Sequence, residues 1–170
     1  MLRRPVAALA LVVAGAATGL ALHLATVQGD TMFAGKRPTY LGVKDGRLPR
    51  PRSTPNCVSS QADPADKVHY IEPIRFEGTA PEALAMARKA VEGMPRATVI
   101  RHEGNYLYAE FRSRVMGFVD DVEFTYDEKA QALHVRSSSR LGRRDFGVNR
   151  KRVEALRARI AGRIGAQARR

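Results

Sequence analysis

One cysteine, Cys57, occurs among 170 residues, so no internal disulfide can brace the chain. No Gly-x-Ser-x-Gly elbow surrounds Ser137, Ser138 or Ser139. His69, His102 and His134 fall at no metal-ligand spacing such as His-Glu-x-x-His. These absences predict no metal site and no cofactor. A nucleophile without a visible base or orienting group is weak evidence for catalysis, so an exported enzyme of hydrolase type is the lesser expectation. Charge is missing from residues 5–27, where only His23 is ionisable, and sustained periodicity is missing from residues 28–66. Acidic residues are nearly missing from residues 149–170, which carry eight Lys/Arg against Glu154 alone.

The uncharged tract at 5–27 follows Met-Leu-Arg-Arg. At about 1.5 Å per residue it just crosses a hydrocarbon layer of roughly 30 Å. It reads as an uncleaved anchor or as a cleaved secretory signal, with Gly19-Leu20-Ala21 offering small residues near a cut; a core helix is the third reading. Arg3 and Arg4 favour keeping the N-terminus inside, so the first two readings place the remainder on the periplasmic side of the membrane. Residues 28–66 contain Pro38, Pro49, Pro51, Pro55 and Pro64 with Gly35, Gly42 and Gly46, and read as a stiff linker. Cys57 lies at its far end, about 30 residues beyond the apolar tract, too far for a lipid-attachment site. It is a candidate reactive thiol or metal ligand, or a small buried hydrophobe beside a turn.

The formal net charge is +12, which invites a nucleic-acid reading, but its distribution argues against one. Residues 67–148 carry 13 Lys/Arg and 12 Asp/Glu and are nearly neutral. Basicity near a membrane tether and on a terminal helix suits anionic lipid headgroups or a solvated arginine face, and no nucleic-acid-reading motif is present.

What is present is an alternation. Phe118, Val122, Phe124 and Tyr126 interleave with Val119, Asp121, Glu123 and Thr125, the period-2 pattern of a half-buried strand, with Asp120 on the apolar side. Asp127-Glu128-Lys129-Ala130 turns the chain, and Leu133 and Val135 resume the alternation in a second strand. Setting Tyr126 opposite Gln131 pairs Phe124 with Leu133, Val122 with Val135 and Asp120 with Ser137; on the other face Glu123 meets His134 and an exposed Asp121 meets Arg136. In that register Asp120 accepts hydrogen bonds from Ser137 or Ser139.

Upstream, residues 69–76 read as a strand. Thr79-Ala80-Pro81-Glu82 opens a helix, with Leu84, Ala87 and Val91 on one face, that ends at Gly93 and Pro95. Strands follow at 96–102 and 106–113, the second with Leu107, Ala109 and Phe111 inward, and a last helix starts near Asn149 with Val153, Leu156, Ile160 and Ile164 on one face. The fold class is therefore α+β: a mostly antiparallel sheet of about five strands, ordered strand, helix, four strands, helix, with both helices on one face. The limits read as 1–27 signal or anchor, 28–66 linker, 67–165 domain and 166–170 basic tail. A helix-on-curved-sheet plan is shared with small ligand-binding domains of helix-grip type, an analogy of fold alone.

Four stretches, PNCVSSQA (55–62), GFVDDVEF (117–124), VRSSSRLG (135–142) and DFGVNRKRVE (145–154), together resemble the bacterial and plant family called domain of unknown function 1499, over about Asn56 to Ile160. The resemblance implies a shared pattern and carries over no reaction. Where the family often has Ser-Ala-Ser this chain has Ser138 in the middle, and Arg143-Arg144 replaces a pair that is often aromatic plus small.

The candidate ligand-binding residues are Asp120, Arg136, Ser137, Ser139, Arg140, Asp145, Asn149 and Arg150. Arginines beside a helix start suit a small anionic ligand or a lipid headgroup; the competing account is that Asp145 or Asn149 caps the helix and Arg140 pairs with Asp145. The expected function is that of a membrane-tethered or secreted extracytoplasmic domain, a binding or cell-envelope module. Its alternatives are the exported enzyme and a basic scaffold touching anionic lipid.

Overall fold

The computed structural model describes residues 33–167. The elements are β1 (Cys57–Ser59), β2 (Ile74–Arg75), α1 (Ala80–Glu92), β3 (Ala97–Glu103), β4 (Tyr106–Arg112), β5 (Val119–Asp127), β6 (Ala132–Ser139) and α2 (Val148–Gln167). The fold is α+β. Six antiparallel strands run in the order β1-β6-β5-β4-β3, and β2 joins β1 along the outer side of β6. No helix among the described residues is long and apolar enough to cross a membrane, and the apolar tract at 5–27 lies outside them.

Both helices cover one face of the sheet. Leu84, Ala87 and Val91 of α1 and Val153, Leu156 and Ile160 of α2 share a core with Leu107, Ala109 and Phe111 of β4, Val122, Phe124 and Tyr126 of β5, and Leu133 and Val135 of β6. These are the residues whose 3.6- and 2-residue spacings point inward, so burial of one stripe per element fixes the layers. Glu82 reaches back to accept the Thr79 amide (2.9 Å) and hydroxyl (2.8 Å), which anchors the start of α1. Ile164, the last residue of the expected stripe, is exposed.

Three sequence expectations change. The strand expected at 69–76 shrinks to β2, with Tyr70 bridging Ser59 in parallel. The hairpin register shifts by two residues, setting Asp120 opposite Ser139, Val122 opposite Ser137, Glu123 opposite Arg136 and Thr125 opposite His134. Asp127 is the cause. Its carboxylate accepts the Lys129 and Ala130 amides, so the turn starts one residue later and Gln131 takes a left-handed conformation (φ 47°) at its end. A two-residue shift keeps every side chain on its face, which preserves the apolar pattern while changing the polar pairs.

The third change concerns the expected linker. Part of it is folded: β1 lies in the sheet, and residues 33–48 strap across the face opposite the helices, Arg37 reaching Glu110 and Gly42 reaching Glu123. Lys44 and Arg47 exchange backbone hydrogen bonds (2.9 and 3.0 Å) around Asp45-Gly46, both at positive φ, as in a type I′ turn. Leu41 and Leu48 pack on Tyr106 and Tyr108. All but the last residue of β5 is consequently buried on both faces, and Asp121, expected at the surface, is enclosed.

Candidate functional site

The sheet separates the candidate residues into two polar clusters. On the helix side, Asn149 in the first turn of α2 is fully buried and saturated. Its amide nitrogen donates to the Asn56 carbonyl (3.0 Å), Ser139 Oγ (2.9 Å) and Asp145 Oδ2 (2.8 Å), and its Oδ1 accepts from Ser137 Oγ (2.6 Å) and Arg152 Nη1 (2.7 Å). Arg152 also donates to Ser137 Oγ (3.0 Å), pairs with Asp120 (2.6 Å) and stands over the Phe111 ring. Asp120 is thus inward-facing, but it pairs with Arg152 instead of the serine hydroxyls. Asp145 accepts the Gly147 and Asn149 amides (3.1 and 2.9 Å), filling the helix start where an anion was the alternative. Arg150 clamps the carbonyls of Lys67, Val68 and Tyr70. This side is a closed structural plug.

On the strap side, Arg136 and Glu123 form an ion pair (2.9 Å) with both side chains wholly shielded from solvent. Glu123 Oε1 also accepts the Tyr106 hydroxyl and the Gly42 amide of the strap, each at 2.8 Å. Burial pushes the Glu123 carboxyl up; Arg136, Tyr106 and Gly42 pull against it, and as donors they suit its ionised form. Next to this pair, Arg140 does not reach Asp145 as expected. It binds Asp121 (2.7 Å), Glu110 and the Tyr108 hydroxyl, and Arg37 of the strap closes on Glu110 (2.6 Å). The expected pairing of Asp121 with Arg136 is therefore replaced by two buried pairs, because the shifted register sets Glu123 beside Arg136.

The strap-side network is incomplete at one place. Nε and Nη2 of Arg136 have no hydrogen-bond partner among the described residues, nor has the hydroxyl of Ser138, two residues along the same face of β6. Cys57 pairs with Ser138 across the β1–β6 ladder and is buried, and Tyr40 of the strap lies over the guanidinium (5.7 Å to the ring centroid). Burial pushes the Cys57 thiol up, against the pull of the Arg136 charge, so it stands as a neutral thiol. Nε and Nη2 form the side edge of the guanidinium, the fork that takes a carboxylate or phosphate in two parallel hydrogen bonds.

Other surfaces offer less. A groove of about 590 Å³ is lined by Arg47, Arg50, Arg52, Asp66 and His69, but Arg47 and Arg52 already hold the carbonyls of Gln61 and Ser139, and His69 bridges Asp66 and the Thr54 carbonyl. Among the described residues no group of three His, Cys, Asp or Glu side chains is placed to hold a metal ion.

The family model described as Protein of unknown function (DUF1499) matches residues 47–160. The chain belongs to that family. No curated protein matches it. In this DUF1499 chain the matched stretch contains Cys57, Glu123, Arg136 and Ser138, while Arg37, Tyr40 and Gly42 of the strap precede it.

Sequence reasoning missed Arg152, Glu110, Tyr106, Tyr108 and the whole strap. Signals for some were available: Arg152 follows Asn149 by three on one helix face, and Tyr106, Tyr108 and Glu110 alternate with the inward Leu107, Ala109 and Phe111. Asp45-Gly46 is a hairpin signature inside the stretch read as linker.

His134 and Glu110 should each cost the DUF1499 fold stability as pH falls, in two separate windows. Burial pushes the His134 imidazole down, with Asp127 opposing and Arg47 reinforcing. Because the unfolded chain then holds the proton more tightly, this contribution is complete above the ordinary value of 6.5 and is lost as pH falls through the folded value. Burial also pushes Glu110 up, but hydrogen bonds from Arg140, Tyr108 and Arg37 outweigh it, so its contribution is lost only below 4.5. Urea midpoints against pH should show the upper limb flattened in His134→Gln; an unchanged limb would assign it to another group.

Proposed function

We propose that this chain is a membrane-tethered, extracytoplasmic binding module that takes a small oxyanion, a carboxylate or phosphate group, between the strap and the sheet. The observation that carries the reading is the Nε–Nη2 edge of Arg136, without a hydrogen-bond partner among the described residues, with the Ser138 hydroxyl beside it in a fully buried layer. Leaving such donors without a partner costs about 1–3 kcal/mol each, so their persistence together calls for an occupant. Tyr40, about half exposed above Arg136, marks the side from which the strap would admit it. The location rests on Arg3 and Arg4 ahead of the uncharged tract. A resting neutral thiol at Cys57 gives the exported-enzyme alternative little support.

Thermal melts of the full chain in acetate or phosphate, against chloride at matched ionic strength, test the site. A ligand at a hundred times its Kd stabilises by about 2.7 kcal/mol. An oxyanion-specific rise in Tm is expected, and Ser138→Ala, which removes an unpartnered hydroxyl and so keeps the fold, should diminish it. Equal melting in all anions, or an undiminished response in Ser138→Ala, rejects the site. Alkaline phosphatase fused after Arg170 should be active in cells; an inactive fusion rejects the location.

A further inference from the structure

We propose that the end of the sheet where β4 runs into β5 and β6 runs into α2 rests on an anionic membrane surface. Antiparallel pairing places these two loops together: Arg112 opposes Val119, and Asp120 opposes Ser139. They and the first residue of α2 expose Val115 (87%), Met116, Leu141, Phe146 (89%) and Val148, five of the eleven large apolar side chains exposed among the described residues. Phe146 is held out at a left-handed φ of 52°, a conformation a bulky side chain rarely adopts. Arg114, Arg143 and Arg144 are exposed between these side chains. The one acid in the two loops, Asp145, is occupied in capping α2. Apolar side chains interleaved with arginines are the chemistry of an anionic lipid interface.

The position of the described chain's start chooses this occupant over another protein. Phe33 packs on Phe118 at this same end (5.4 Å between ring centroids). A Cβ on Gly35 would lie 3.0 Å from Leu141, so the strap enters against both loops. Only residues 28–32 separate Phe33 from the uncharged tract, and five residues span at most about 18 Å. The turn at the opposite end of the nine-residue β5 is about 30 Å further off. If the tract is held in a bilayer, which this inference takes from the tethered reading above, the two loops are the part of the domain brought to its surface.

The chain has no tryptophan, so a single introduced indole reports its own surroundings. The full chain carrying Phe146→Trp is placed in vesicles of phosphatidylcholine and phosphatidylglycerol with brominated acyl chains, beside a chain carrying Lys129→Trp in the far turn. The expected result is blue-shifted emission from Phe146→Trp with at least about twofold stronger bromolipid quenching than from Lys129→Trp, reduced when Arg143→Glu and Arg144→Glu are added. A chain that floats with the vesicles while Phe146→Trp is quenched no more than Lys129→Trp overturns the docking surface alone. A chain that fails to float overturns the tether as well. Blue-shifted emission in lipid-free detergent, with doubled mass by sedimentation, makes a second copy the occupant and overturns the lipid assignment.

Discussion

Arg136→Met should destabilise the domain by about 3–5 kcal/mol, the cost of stranding one charge of a buried pair. The change keeps most of the side-chain volume, so the loss is electrostatic: Glu123 stays wholly buried with the Tyr106 hydroxyl and the Gly42 amide but without its cation. Glu123→Gln should cost less. It removes the charge at the same time as the ion pair, leaving Arg136 beside a neutral acceptor, and a guanidinium tolerates burial better than an ammonium because its charge is spread over a weakly hydrated plane. The double variant Arg136→Met, Glu123→Gln should be more stable than the sum of the two single losses, because no lone charge is left in the layer. Urea unfolding of the four proteins checks this cycle. A loss below about 1 kcal/mol for Arg136→Met is the outcome for a solvated pair and would refute the closed strap face.

That pair also marks where sequence reading stops. The apolar periodicities of Leu84, Ala87 and Val91, of Val122, Phe124 and Tyr126, and of Val153, Leu156 and Ile160 carried the layers, because burying a stripe is a local demand that each element states for itself. The strap states no such demand. It covers the sheet with backbone groups, Leu41, Leu48 and long polar side chains, so its Pro- and Gly-rich stretch reads as solvent-exposed until the sheet is built beneath it. Once covered, the polar face of β5 has to pair its charges internally, and the partners depend on register. Register in turn depended on one side chain, Asp127, whose carboxylate moves the turn by a residue and replaces Asp121–Arg136 with Glu123–Arg136 and Asp121–Arg140. Alternation alone is blind to a two-residue shift, since each side chain keeps its face. The helix-side cluster was more legible because Asp120, Ser137, Ser139, Asp145 and Asn149 were already grouped by the hairpin and the helix start.

For that cluster Asn149→Ala should cost more than Asp145→Ala. Asp145 acts at the helix start, where losing a capping carboxylate costs about 0.5–2 kcal/mol and water can reach the freed amide of the exposed Gly147. Asn149 has no exposure at all. Its loss takes a donor from the Asn56 carbonyl and Ser139 Oγ, and an acceptor from Ser137 Oγ and Arg152, in a layer where each orphaned group costs about 1–3 kcal/mol. Three of those groups lie outside α2, the Asn56 carbonyl leading into β1 and the two serines on β6, so the side chain pins α2 to the sheet edge as well as satisfying polar atoms. Asn149→Asp separates the two roles. It keeps acceptors for Ser137 and Arg152 but removes the donors and sets a second carboxylate against Asp145 and the Asn56 carbonyl, so it should also fall below Asp145→Ala. Thermal and urea melts on the three variants decide the order: if Asp145→Ala is the most damaging, Asn149 is a helix-start residue like any other, and the plug does not hold α2 to the sheet.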